Sequence, residues 1–149
     1  IPVRLVIIGE GSQRADLELM SKKYGTDTSV IFLGFRDDIH SYLPAFDAFI
    51  LPSLMEGTPM AMLEAMLCGI PVIASKVGGI PDVVTSGKNG ILVSPSSSQE
   101  IGAAISLLYK DKDLRMKIGR EAQSIVKAEY NVKQWIKKIE AEYLRVAEG

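Results

Sequence analysis

Short apolar runs alternate along the chain with stretches in which apolar residues recur every three or four positions. Apolar runs that end at turn residues are typical of buried strands, and the longer spacing is typical of helices. On this basis we predict five strands, at 3–8, 29–33, 48–51, 71–74 and 91–93. We predict helices at about 12–24, 37–46, 60–68, 98–109, 114–129 and 132–147, with a further short helix that ends near Gly87. Ser12 is the expected N-cap of the first of these helices.

Strands that alternate with helices predict an α/β fold with a Rossmann-like parallel sheet and helices on both faces. Ligands of such sheets bind beyond the carboxyl ends of the strands. Gly9–Gly11, Gly34–Phe35, Glu56–Met60 and Gly78–Gly79 each follow a predicted strand directly. We therefore expect these four segments to share one edge of the sheet.

The helix predicted after the third strand has an unusual composition. Thr58 is its expected N-cap, Pro59 lies in the first turn, where a proline costs no hydrogen bond, and Gly69 ends it. The segment 60–68 is apolar on every side except at Glu64. An all-round apolar helix is a buried one, so we predict that Glu64 brings a carboxylate into the interior, where it needs partners or a ligand.

The start of this helix suits an anion, because its first N–H groups have no partner within the helix and lie at the positive end of its dipole. Glu56 precedes the helix and Glu64 lies within it, so we expect both to border one pocket at different depths. Carboxylates accept hydrogen bonds from hydroxyls, so a ligand made of a sugar, a diphosphate and a ribose would use all three features. The alternative is that Glu56 is a solvated loop residue and Glu64 bonds to neighbouring backbone.

The turns after the other strands allow more than one interpretation. Gly9-Glu10-Gly11 suggests a dinucleotide-binding turn, but Arg14 occupies the place of the third glycine and no acidic residue ends the next strand, which excludes an NAD site. Gly78–Gly79 either lets the backbone come close to a ligand or forms a tight turn. Phe35 is either a stacking surface for a base or a core residue.

Composition and charge narrow the class of protein. A chain of 149 residues predicts one domain, and a hydrophobic fraction of 47% excludes a disordered chain. The net charge of −1 gives no reason to expect nucleic acid or an anionic membrane as a partner. We find neither a signal peptide nor an apolar stretch long enough to span a bilayer, and expect a cytoplasmic setting. The start at Ile1, directly before a strand, suggests a piece of a longer protein.

Several single residues are of types that often have a catalytic or metal-binding role, but their sequence context favours a structural or surface role. Cys68 is the only cysteine, which excludes an internal disulfide, and we predict a buried, inert thiol. His40 is expected on the surface. Asp111 and Asp113 have the spacing of some metal-binding motifs, but they lie at a helix start, and we predict capping.

The last predicted helix carries an apolar stripe at helical spacing. Its members are Val132, Trp135, Ile136, Ile139 and Tyr143. Such a stripe is usually core or a contact with another domain, and less often a membrane-surface helix. We expect it to pack partly on a second domain.

These motifs resemble the carboxyl-terminal, nucleotide-sugar-binding half of a GT-B glycosyltransferase. They are most similar to the retaining transferases called glycosyltransferase group 1 or family 4. The most specific part is 52–75, which carries the family's two glutamates separated by seven residues, here Glu56 and Glu64. The family's order and spacing also match at Gly9–Gly11, 32–34, Gly78–Gly79 and 89–93.

The resemblance implies a role for each matched residue. Glu56 would be the catalytic residue and contact hydroxyls of the donor sugar, and Glu64 would bind the ribose. The backbone amides of 57–62, except that of Pro59, would hold the sugar and diphosphate. The other implied donor-binding residues are Gly9, Glu10, Gly11, Phe32, Gly34, Phe35, Gly57, Thr58, Met60, Ala61, Met62, Gly78 and Gly79. Asp82 departs from the pattern, because the family usually has a longer glutamate there.

The resemblance also implies an activity. A retaining, metal-independent transferase would move a sugar from a nucleotide-sugar donor to an acceptor, in polysaccharide or glycolipid synthesis. The nucleotide-sugar is a substrate, and no cofactor or metal is expected. Residues 1–149 would form the donor-binding domain. The acceptor-binding amino-terminal domain, and a preceding strand that ends in Arg and Lys, are absent from this sequence, so the piece alone would be inactive.

Peripheral membrane association of the full-length protein is compatible with the resemblance. Two alternatives stay open. One is a sugar-nucleotide-binding module without transfer activity, or a structural partner in an envelope-polysaccharide assembly. The other is an epimerase of the same architecture, against which the spacing of Glu56 and Glu64 argues.

Overall fold

The computed structural model describes residues 1–130 and 132–147, and in the last helix it describes only the side chains of 136 and 139–146. Val132 and Trp135 of the apolar stripe therefore lie outside the described side chains. Of the remaining members, Ile136 and Tyr143 are exposed and Ile139 is partly buried. Packing of the stripe on a second domain stays a prediction.

The chain divides into two compact units, of which the first is Ile1–Tyr42. Its strands β1 and β2 pair in parallel, with Leu5 opposite Val30 and an irregularity between Ile7 and Ile8. The elements of this unit are β1 (Leu5–Ile8), α1 (Arg14–Lys23), β2 (Val30–Gly34) and α2 (Ile39–Tyr42).

The second unit is Leu43–Gly149 and holds a three-stranded parallel sheet in the order β3-β4-β5. After a 3-10 helix at Leu43–Ala45, its elements are β3 (Phe49–Leu51), α3 (Met60–Leu67), β4 (Val72–Ser75), α4 (Ile80–Val83), β5 (Ile91–Val93), α5 (Ser98–Lys110), α6 (Lys112–Glu129) and α7 (Val132–Ala147). The predicted α/β class is confirmed, and each predicted strand is present with bounds that differ by a few residues. The strands pair in two parallel sheets, whereas the sequence led us to expect one.

The core of the second unit forms around β4, which is buried along its whole length. Ile73 of β4 and Val93 of β5 pack in one cluster with side chains of α5 and α6, namely Ala104, Leu108 and Ile118. A central parallel strand is covered on both sides, which explains its unbroken apolar sequence. The loops that follow β3 and β4 therefore start from a firmly held base.

The helix starts were predicted with mixed success. Ser97 caps α5 by accepting a hydrogen bond from the Glu100 N–H, and Asp111 caps α6 by accepting one from the Leu114 N–H at 2.8 Å. The capping interpretation of Asp111 is thus confirmed. Ser12 and Thr58 were predicted wrongly as caps, because α1 begins after Gln13 and α3 begins after Pro59.

The reason for the second error lies in the backbone of Pro59. Its φ of −73° and ψ of 116° are extended, so this residue is the N-cap and not the first residue of the helical turn. Its carbonyl accepts the hydrogen bonds of Met62 and Leu63. The helix therefore starts one residue later than Thr58 capping would require, although Gly69 ends it as predicted, with a φ of +77°.

The prediction that α3 is buried on every side is wrong. Met62, Leu63, Ala65 and Met66 are buried. One face stays uncovered, and along it lie Met60, Ala61, Leu67 and Cys68, with a partly buried Glu64 in their midst. Cys68 is consequently an exposed thiol and not a buried one. Apolar composition alone did not reveal that neighbouring elements cover only one side of this helix.

Close backbone packing holds the carboxyl end of α3. A Cβ on Gly119 of α6 would overlap the carbonyl oxygen of Gly69, and the Gln123 side chain donates to the Leu67 carbonyl at 2.8 Å. Two backbones can approach this closely only where a side chain is missing. This contact fixes the axis of the helix that carries Glu64.

No helix in the described part of the chain is long and apolar enough to cross a membrane.

Candidate functional site

Glu56 lies in the loop between β3 and α3, and its carboxylate is held in place. The Ser53 hydroxyl donates a hydrogen bond to Glu56 Oε1 at 2.8 Å, and both side chains are partly buried. Glu56 is therefore not the freely solvated loop residue of the alternative interpretation.

The paired glycines after β4 pack against the same loop. Gly78 has a φ of +51°, and a Cβ there would overlap the Glu56 carbonyl oxygen. A Cβ on Gly79 would lie 2.8 Å from the Gly57 carbonyl oxygen and 3.4 Å from Thr58 Oγ1. Both positions need glycine because another backbone comes close. Part of the requirement for glycine at these positions thus comes from the protein's own Glu56–Gly57 backbone.

The start of α3 offers fewer free amides than predicted. Met62 is fully buried, and its N–H donates to the Pro59 carbonyl at 3.1 Å. Among the described residues, none accepts from the N–H groups of Met60 and Ala61. These two amides lie at the positive end of the helix and can bind an anion.

Glu64 lies on the uncovered face of α3, one helical turn after Met60. Within the described part of the chain, no donor contacts its carboxylate. A partly buried carboxylate without a protein partner can accept hydrogen bonds from a ligand. The alternative in which the Glu64 side chain bonds to neighbouring backbone is wrong.

A second group of predicted residues meets in the first unit. The Gly9 N–H donates to the Gly34 carbonyl at 2.8 Å, and the two glycines have φ values of +133° and +73°. A cleft of about 230 Å³ runs along this turn and is lined by Glu10, Gly11 and Phe32, among others. The Gly9–Gly11 turn and β2 therefore form one concave surface.

Arg14 also lines this cleft, and its role was missed in the sequence. It pairs with Glu10 at 2.7 Å and with Glu18 at 2.9 Å, and its guanidinium lies 5.9 Å from the centre of the Phe32 ring. The hydrogen bond to Glu18, followed by the charge of Glu10, raises the pKa of Arg14. The spacing of four residues between these three charges was the signal that we overlooked.

The last two candidates, the aromatic Phe35 and the acidic Asp82, both lie on the surface. Phe35 is 71% exposed, so its ring is not part of the core and is available for stacking. Asp82 is exposed in the first turn of α4.

Asp82 also contributes to the environment of Tyr130. Burial, with smaller contributions from the charges of Glu129 and Asp82, raises the pKa of Tyr130. His40 is exposed, as predicted.

The site residues thus form two groups, each within its own unit. Glu56, Gly57 and Thr58 contact Gly78–Gly79, and α3 extends from that loop to Glu64. Gly9, Glu10 and Gly11 lie with Phe32 and Gly34. Among the described residues, no cluster of three His, Cys, Asp or Glu side chains could hold a metal ion.

Comparison with known proteins identifies relatives across almost the whole chain. The family model of the glycosyl transferases group 1 matches residues 1–125. N-acetyl-alpha-D-glucosaminyl L-malate synthase of Bacillus anthracis is 28% identical over 146 residues, which are 98% of this chain and 38% of that protein.

Two solved structures are similar as well. HepE of Anabaena, in a crystal structure with UDP-glucose, is 33% identical with a TM-score of 0.89, over 97% of this chain and 41% of that one. The C-terminal domain of LpcC, a glycosyl transferase group 1 family protein of Francisella tularensis, is 35% identical with a TM-score of 0.80, over 87% of this chain and 70% of that one.

This chain therefore spans about two fifths of the N-acetyl-alpha-D-glucosaminyl L-malate synthase and HepE chains, at 38% and 41%. The resemblance to a GT-B glycosyltransferase and the Rossmann-like fold class are confirmed by these likenesses. Since the family model covers most of the sequence, the chain belongs to the glycosyl transferases of group 1.

Proposed function

We propose that this chain is the donor-binding domain of a glycosyltransferase that uses a uridine-diphosphate sugar. The observation that carries the proposal is the loop between β3 and α3. There, Ser53 and Gly78 hold Glu56 in place. The Met60 and Ala61 amides and the Glu64 carboxylate follow, and none of them has a partner among the residues that the structure describes. The likeness to HepE, which was crystallised with UDP-glucose, supports this choice of donor.

Each part of the donor meets a group of matching chemistry. Glu56 accepts hydrogen bonds from hydroxyls of the sugar, and Glu64 accepts them from the ribose. The Met60 and Ala61 amides at the positive helix end bind the diphosphate. Within the first unit, the exposed Phe35 ring offers a stacking surface of the kind that a base uses.

The proposed reaction breaks the bond between the anomeric carbon and the diphosphate oxygen. The acceptor hydroxyl then forms the new bond on the same face and passes its proton to the departing diphosphate oxygen, so the configuration is retained. An oxocarbenium-like transition state carries positive charge, which the Glu56 carboxylate beside the sugar stabilises. The helix end and cationic side chains outside this chain meet the charge of the leaving diphosphate without a metal ion.

Transfer also needs an acceptor, which this chain alone does not position. We propose that an amino-terminal domain of the full-length protein binds the acceptor and excludes water, so that the isolated domain binds donor without turnover. The acceptor would belong to polysaccharide or glycolipid synthesis.

Isothermal titration of the full-length protein with UDP and with UDP-glucose tests the donor site. We expect Glu64→Gln to weaken both ligands by about tenfold or more, because a charged hydrogen-bond acceptor of the ribose is lost. Glu56→Gln should weaken UDP-glucose by a similar factor and leave UDP unchanged. Glu140→Gln, at an exposed position on α7, is the matched control and should change neither affinity.

Unchanged UDP binding by the Glu64→Gln protein would contradict the proposed site. Measurement of sugar transfer by the full-length protein then distinguishes an enzyme from a binding module. A protein that binds UDP-glucose with the expected mutational pattern, yet transfers no sugar to any envelope lipid or glycan acceptor, would favour the non-catalytic alternative.

A further inference from the structure

We propose that Ser53 is a positioning residue that sets the direction of the Glu56 carboxylate and thereby determines how well the site binds sugar-bearing donors. This inference rests on the proposed function, in which Glu56 contacts the donor sugar. It assigns the selectivity for UDP-sugar over UDP to a pair of side chains, Ser53 and Glu56.

Ser53 is the more firmly anchored member of this pair. It follows β3 by two residues, and the last residue of β3, Leu51, pairs with Ala74 of the buried strand β4. Pro52 lies between them and has a fixed φ. The hydroxyl of Ser53 therefore starts close to the end of a strand that is paired with buried β4.

The loop around Glu56 has little other side-chain support. Leu54 is 71% exposed and Met55 is 88% exposed, so neither anchors the loop by packing in the core. Gly78 contacts the backbone carbonyl of Glu56 but leaves its side chain free to rotate. Ser53 is thus the residue that holds the carboxylate, while Gly78 fixes the backbone.

The hydrogen bond occupies only one carboxylate oxygen. Oε1 accepts from Ser53 at 2.8 Å, and within the described part of the chain nothing donates to Oε2. A carboxylate held at one oxygen presents the other in a fixed direction, which lowers the entropy that a ligand loses on binding. The free Oε2 accepts a hydroxyl of the sugar.

Substitutions of Ser53 in the full-length protein test this assignment by titration with UDP-glucose and with UDP. Ser53→Thr and Ser53→Val have the same shape and differ only in the hydroxyl. We expect Ser53→Val and Ser53→Ala to bind UDP-glucose about tenfold more weakly, and UDP within about twofold of wild type. Ser53→Thr should keep most of the wild-type affinity for UDP-glucose.

A double-mutant cycle separates a positioning role from a merely structural one. If Ser53 acts through Glu56, Ser53→Ala has no further effect on UDP-glucose affinity in a Glu56→Ala background. Additive effects, equal losses for UDP and UDP-glucose, or no difference between the Thr and Val variants would overturn the inference while leaving the donor site intact. Wild-type protein that binds neither ligand would overturn the proposed function and, with it, this role.

Discussion

At the scale of single residues, Asn89 shows how a buried polar side chain can organise a turn. It is fully buried, its Oδ1 accepts from the Thr85 N–H at 2.6 Å, and its Nδ2 donates to the Val83 carbonyl at 2.9 Å. The side chain thereby pairs with the carbonyl of the last residue of α4 and with an N–H of the turn that follows.

Replacement of Asn89 by alanine should be among the more costly single changes in the second unit. We expect Asn89→Ala to lower the free energy of unfolding by about 2–4 kcal/mol, because two backbone groups lose their partners. The neighbouring Lys88→Ala, at an exposed position, should change it by less than about 0.5 kcal/mol. Urea denaturation of both variants measures the difference, and equal midpoints would contradict the assigned role.

At the scale of elements, two helical glycines have opposite surroundings. Gly119 of α6 packs against the carbonyl of Gly69, whereas a Cβ on Gly102 of α5 would meet no atom within 4 Å. Glycine is unfavourable in a helix because it loses more backbone entropy on folding than alanine does. Of these two glycines, only Gly119 offsets that cost, because its missing side chain lets α6 pack closely on the end of α3.

Alanine at these two positions should therefore have effects of opposite sign. Gly102→Ala should raise the free energy of unfolding by about 0.5–1 kcal/mol through the unfolded state. Gly119→Ala should lower it by about 1–3 kcal/mol, because the added methyl group overlaps the Gly69 backbone and displaces α3. Thermal unfolding of both variants tests this prediction, and stabilisation by Gly119→Ala would show that the two backbones do not approach so closely.

At the scale of the whole molecule, the two units differ in how much apolar side chain they bury. In residues 1–42 only Ser21 and Gly34 are buried, and the apolar side chains there are partly or fully exposed. The second unit contains every buried hydrophobic residue of the described chain, from Leu43 onward. Because burial of apolar surface supplies most of the stability, the first unit has less to hold it folded.

Amide hydrogen exchange of the 149-residue chain should report this difference directly. We expect the amides of β4 to exchange at least about tenfold more slowly than those of β1 and β2, since the first unit can open without unfolding the second. Mass spectrometry of peptides from each unit measures both rates. Equal protection in the two units would mean that they unfold together.

Much of the fold and part of the site could be predicted from the local pattern of apolar residues and turn residues. The five strands, the Gly69 helix end and the Asp111 cap were predicted because period and turn chemistry act over a few neighbouring residues. The positions of Glu56 after β3 and of Gly78 after β4 were predicted for the same reason. The start of α3 was not, because it depends on the extended backbone of Pro59.

The sequence by itself determined the α/β order of elements, the two glutamates that flank the α3 amino end, and membership of the glycosyltransferase family. Tertiary structure alone decided which face of α3 stays uncovered, and so that Cys68 and Glu64 are accessible. It also decided that Gly78 packs against Glu56. Periodicity records how each residue relates to its near neighbours, whereas the cover of a face and the approach of two backbones depend on segments that are distant in sequence.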